Sequence, residues 1–155
     1  MFKLFFDTLV YKNPAGTKGI WKGLTPLHLA AIRGRLKICK IIMDTLVNKN
    51  PPQFAGNSKG LTPLHVAAYE GKSEVCKIIM DTQVNKNPPA TDGPFKGMTP
   101  LHAAAQQGKF EVCKIILDNL EDKTPTSDRH GMTPIDYARV KGHDDIVKLL
   151  EPFQL

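Results

Sequence analysis

The sequence predicts an all-α solenoid of stacked antiparallel helix pairs with projecting loop or hairpin fingers. Three observations carry that expectation: a motif recurring at a near-constant interval, prolines and glycines in register with it, and an apolar helical stripe that one helix pair cannot bury alone. Gly23-Leu-Thr-Pro-Leu-His28, Gly60-Leu-Thr-Pro-Leu-His65, Gly97-Met-Thr-Pro-Leu-His102 and Gly131-Met-Thr-Pro-Ile-Asp136 recur at intervals of 37, 37 and 34 residues. Downstream, Ile38-Cys-Lys-Ile-Ile-Met-Asp44 matches Val75-Cys-Lys-Ile-Ile-Met-Asp81 and Val112-Cys-Lys-Ile-Ile-Leu-Asp118. A fixed period of this length marks a repeat architecture, in which each unit buries its apolar face against its neighbours.

Each element follows from its residues. Thr25 caps a helix by accepting a backbone N–H, and Pro26 suits the first helical position because its missing N–H would have been orphaned there. This first helix runs about two turns and ends at Gly34, a residue free to take the left-handed conformation that closes helices; Gly71, Gly108 and Gly142 stand in the same place. A second helix begins near Leu36 or Lys37 and sets Ile38, Cys39, Ile41, Ile42 and Leu46 on one apolar stripe, with Lys40 outward. Pro14, Pro51, Pro52, Pro88, Pro89, Pro94 and Pro125 all fall between units, in polar, turn-rich segments expected to form the fingers.

The N-terminus belongs to the same pattern. Lys3-Leu-Phe-Phe-Asp-Thr-Leu-Val10 precedes Gly23 by the same 20 residues that separate Lys40-Ile-Ile-Met-Asp-Thr-Leu-Val47 from Gly60, so it reads as the back half of a repeat rather than a signal peptide. The expected organisation is one domain over residues 1–155: a half repeat at 1–22, repeats at 23–59, 60–96 and 97–130, and a polar capping repeat at 131–155.

Composition narrows the function classes. The chain has 155 residues, 41% hydrophobic and 23% charged, enough for a core and too apolar for disorder. No uncharged apolar run approaches the roughly 18 residues a membrane span needs. Three cysteines, Cys39, Cys76 and Cys113, do not suit a disulfide framework, which points to a reducing, intracellular setting; cytoplasm is the expected compartment, with the nucleus compatible. The formal charge is +6, but residues 1–60 carry +8 and the remainder −2.

The Thr-Pro-Leu-His-x-Ala-Ala-x-x-Gly pattern at 25–34, 62–71 and 99–108 resembles the ankyrin repeat, whose signature it shares. The chain departs from the family's 33-residue spacing by about four extra finger residues in two repeats, and Asn-Lys-Asn-Pro replaces the common Gly-Ala-Asp. The resemblance implies that His28, His65 and His102 clip the backbone of the next unit's loop, with Asp136 taking that place in the last unit. It also implies that the fingers and inner helices line a concave face that grips other proteins.

Chemistry-bearing motifs are absent: the sequence has no phosphate-cradling G-x-x-x-x-G-K-[ST], no G-x-G-x-x-G, no G-x-S-x-G and no H-E-x-x-H. Repeat spacing separates the cysteines and histidines, so no metal site, cofactor or catalytic residue is expected. Asp144 and Asp145, neighbours diverging by about 100° on a helix, suit a solvated first turn rather than a catalytic pair.

Comparing the units separates scaffold from variable positions, and the variable ones are the candidate contacts. Before the repeat glycine stand Trp21-Lys22, Ser58-Lys59, Phe95-Lys96 and Arg129-His130; at the end of the first helix stand Ile32-Arg33, Tyr69-Glu70, Gln106-Gln107 and Val140-Lys141. Trp21, Phe54, Tyr69 and Phe95 weigh most, because aromatic anchors dominate interface energies. The expected partner-binding set is Trp21, Lys22, Ile32, Arg33, Phe54, Tyr69, Glu70, Phe95, Lys96, Gln106, Gln107 and Arg129. The expected function is a monomeric, non-enzymatic adaptor for another protein, with an acidic partner favoured by the basic first half. Two alternatives stay open at this point: an anion-binding module for nucleic acid or acidic lipid, which interspersed rather than clustered cations disfavour, and a structural segment of a longer array.

Overall fold

In the computed structural model, residues 22–45, 52–53 and 55–154 are described. They contain eight α-helices in four pairs: α1 (Pro26–Ile32) with α2 (Leu36–Thr45), α3 (Pro63–Tyr69) with α4 (Ser73–Asp81), α5 (Pro100–Gln106) with α6 (Phe110–Asp118), and α7 (Pro134–Lys141) with α8 (Asp144–Leu150). A short 3₁₀ turn, Glu151–Phe153, follows. The first helices stack in one row (α1, α3, α5, α7) and the second helices in another.

The core lies between the rows. Leu27, Leu64 and Ile135 from the first helices, and Cys39, Cys76, Ile79, Cys113, Ile116 and Ile146 from the second, are all buried. Alanines fill the tightest places: Ala31, Ala67, Ala68, Ala104, Ala105 and Ala138 have no exposed surface, which lets the short helices approach closely. The cysteines act as small apolar residues, and burial pushes their thiols up, to about 11 for Cys39 and about 12 for Cys76 and Cys113.

One part of the expected stripe is corrected. Ile38 and Ile41 are 36% and 48% exposed. Their counterparts Val75, Val112 and Ile115 are buried and Ile78 is half-buried, in helices that pack on the second helix of the unit before, and no described helix stands on that side of α2. Leu46, like Phe2, Phe5, Phe6 and the rest of the half repeat at 1–21, lies outside the described residues.

The fingers are hairpins. In the longer two, Gln53 N–H donates to Leu61 O and Gly60 N–H to Gln53 O (2.6 and 2.8 Å), and Ala90 N–H donates to Met98 O and Gly97 N–H to Ala90 O (2.7 and 2.9 Å). The shorter third keeps the same pair, Asp128 N–H to Met132 O and Gly131 N–H to Asp128 O (2.9 and 3.0 Å), and adds a carboxylate: Asp128 accepts from the N–H of His130 (2.8 Å) and Met132 (3.0 Å) and from the Tyr137 hydroxyl (2.6 Å). Burial opposes the charge on Asp128, but those donors hold its carboxyl below the usual range. Neighbouring fingers are stitched together, with the Gln53 amide donating to Lys22 O at 2.8 Å and Arg129 N–H to Lys96 O at 3.2 Å.

The clips and the candidate concave site

A histidine joins each unit to the next. His28 Nε2 lies 3.0 Å from Leu61 O, His65 Nε2 2.9 Å from Met98 O, and His102 Nε2 3.0 Å from Met132 O. A carbonyl only accepts, so Nε2 carries the proton. Nδ1 then accepts from the backbone N–H of the capping threonine: Thr25 at 3.2 Å, Thr62 at 3.1 Å, Thr99 at 3.1 Å. A second proton on Nδ1 would face that donor, inside a buried site. Burial drives the His28 and His65 rings down to about 4 and lowers His102 as well, so all three are neutral at pH 7. Asp136 keeps only the inner half of this arrangement, accepting from Thr133 N–H (2.9 Å) and its hydroxyl (2.7 Å).

The clips hold the first helices and fingers in one row, and that row bounds an open groove of about 510 Å³. Its apolar lining includes Ile32, Leu61, Val66, Tyr69, Phe95, Met98 and Ala103; Ser58, Glu70, Gln106, Gln107 and Lys141 supply the polar rim. The volume falls among those of small-ligand and anchor pockets, roughly 300–1,000 Å³. Tyr69 is 44% exposed and Phe95 half-buried, so the Phe95 finger folds back against the stack and forms one wall.

The groove deepens where one side chain is short. Leu29, Val66, Ala103 and Tyr137 occupy the same position in successive first helices. Leu29, Val66 and Tyr137 are half-buried, with Tyr137 held by Asp128 and edge-on to His102, whereas Ala103 is buried. Ala103, Tyr69 and Phe95 all line the groove.

Of the twelve expected contact residues, Ile32, Tyr69, Glu70, Phe95, Gln106 and Gln107 are brought together in this lining. Lys22, Arg33, Lys96 and Arg129 are exposed and stand outside it. Trp21 and Phe54 lie outside the described residues. Leu61, Val66, Met98 and Ala103 were not among the candidate contacts, and Ser58 and Lys141 were candidate positions outside the expected set of twelve. Variation among the units at the position after the histidine, Leu29, Val66, Ala103 and Tyr137, is the signal that finds Val66 and Ala103.

Among the described residues no group of three or more His, Cys, Asp or Glu side chains converges as a metal site, and no helix is long and apolar enough to cross a membrane. The geometry therefore defines a stacked helical repeat protein with a preformed groove. The family model of ankyrin repeats, in three copies, matches residues 3–92 and 83–152, and the chain belongs to the ankyrin-repeat family. Comparison with curated proteins gave no match. Ankyrin repeats are generally protein–protein interaction modules and typically not enzymes.

Proposed function

We propose that this chain is a non-enzymatic adaptor that holds a partner protein in the groove formed by its first helices and fingers. The single observation that carries this reading is the convergence of Tyr69 and Phe95, two partly exposed aromatics from the first helix and the finger of one repeat, on one open apolar hollow. A surface of this kind binds by preorganisation: helices locked by stacking and histidine clips lose little freedom on association. Ile32, Glu70, Gln106 and Gln107 share the lining, and the exposed Lys22, Arg33, Lys96 and Arg129 form a cationic surround that favours an acidic partner.

The test is affinity capture from lysate at low and moderate salt, with nuclease, using the full chain and a Tyr69→Ala/Phe95→Ala variant. A protein retained by the parent and lost by the variant supports the adaptor. Equal retention by both, or recovery only of nucleic acid that disappears at moderate salt, overturns it and favours the anion-binding alternative.

A further inference from the structure

The concave hollow is matched to a particular kind of segment, and three features of the chain say which. The first is shape. With Ala103 as floor and the Tyr69 and Phe95 rings as walls, the hollow has the composition that receives one bulky ring by edge or offset stacking. The second is hydrogen bonding. Gln106 and Gln107 are only half-buried and line the rim, and neither side-chain amide has a hydrogen-bond partner among the described residues. An amide offers both a donor and an acceptor, the pattern an extended backbone presents.

The third is charge. Arg33, Arg35 and Lys37 correspond to Glu70, Lys72 and Glu74, to Gln107, Lys109 and Glu111, and to Lys141, His143 and Asp145. The first set carries +3, the others −1, 0 and 0 with histidine neutral. All three cations are exposed, and none of their side chains has an ionic or hydrogen-bond partner among the described residues. Arg33 directly follows Ile32, which lines the groove, and Arg35 and Lys37 follow in the turn and at the start of α2, one repeat away from the Tyr69 unit.

Resting on the concave-face reading, we infer that the partner supplies an extended acidic segment whose single aromatic side chain seats over Ala103, with carboxylates over Arg33, Arg35 and Lys37. Neighbouring helices pack roughly 8 to 10 Å apart and an extended chain advances about 3.3 Å per residue. Ala103 stands two units beyond Arg33, so the carboxylates begin about five to six positions from the aromatic residue. Ala103 is then the residue that sets specificity, because it makes the room.

The probes are two labelled peptides, each with three glutamates, a five-residue Ser/Thr spacer and one phenylalanine, written in the two chain directions, with Phe→Ser and Glu→Gln controls. Anisotropy titration against the full chain should show one direction binding, with a loss of about tenfold for the Phe→Ser control, the scale expected for burying one ring. Ala103→Leu should abolish the difference between the Phe and Ser peptides without lowering the melting temperature, since Leu29 already occupies that position in another unit. Ala103→Val, which copies the Val66 unit, gives a milder fill and an intermediate loss. Arg33→Glu/Arg35→Glu/Lys37→Glu should weaken binding and flatten its salt dependence. Equal or absent binding of the Phe and Ser peptides, or an Ala103→Leu variant that binds like the parent, overturns the inference. If that happens while Tyr69→Ala/Phe95→Ala still releases the captured partner, the concave-face reading stands and only the segment's chemistry is wrong.

Discussion

The seam of histidine clips and the concave row beside it lie on the same short helices, a residue or two apart, and behave as opposites. Along the seam, His28, His65 and His102 repeat the same bonds to the same kinds of atoms, each buried. Along the row, the final residue of the first helix is Ile32, Tyr69, Gln106 and then Val140 at the corresponding place, and no bond recurs. A buried donor without an acceptor is expensive, so the seam tolerates one solution. A side chain that meets mainly solvent carries no such constraint. In this fold the stability residues and the contact residues are interleaved, and substitutions can separate them cleanly.

The largest separation is expected at His65. His65→Ala orphans Thr62 N–H in a buried site, takes from Met98 O one of its two donors and leaves a cavity, so it should cost about 3 kcal/mol or more in urea denaturation. Gly60→Ala tests the finger beside it. Gly60 has φ +88°, and an added Cβ would strike the Asp92 backbone of the next finger, so a loss of roughly 2 kcal/mol or more is expected.

Acid should attack the seam selectively. His28 and His65 take up a proton only at about 4 when folded, against 6.5 unfolded. The unfolded state therefore binds more protons between those values, and stability falls as pH drops from 6.5 toward 4. The two rings together should withdraw about 4–5 kcal/mol between pH 7 and 4.5, read from urea midpoints. His102, shifted the same way, adds to the loss. Asp128 and Asp136 are held below the usual carboxylate range by hydrogen bonds from hydroxyl and backbone donors, so their contribution is lost only at still lower pH.

Thiol labelling gives a third contrast. Cys39, Cys76 and Cys113 are free, buried and raised in pKa, so a maleimide should leave the native chain unlabelled and mark all three once it unfolds. The smallest effect is on the row itself: Tyr69→Ala should change stability by no more than about 0.5 kcal/mol while removing partner binding.

Most of the stack was legible in the sequence because its constraints are local and repeated. Thr25-Pro26 starts a helix and Gly34 closes the turn that follows it for reasons confined to a few bonds, and the clip partners lie about one period away. The exposure of Ile38 and Ile41 was not legible, since it depends on which helix stands in front of α2. Nor was the hollow: Ala103 is an ordinary small residue until the finger carrying Phe95 folds back beside it. The Asp128 knot was hidden for a related reason. The sequence shows a shorter interval before Gly131, but not that the Asp128 carboxylate reinforces the backbone pair this finger shares with the longer two.

Every clip points the same way. The imidazole donor sits on one unit and the acceptor carbonyl on the unit that follows it in the chain. Peeling away an earlier unit leaves behind a carbonyl, an acceptor that tolerates losing a partner better than an N–H does. Peeling away a later unit strands an N–H inside the helix row, the costlier orphan. The array is a one-way zipper, in which each unit depends more on its successor than on its predecessor. Amide exchange should therefore record fraying that begins at α1 and travels toward α7.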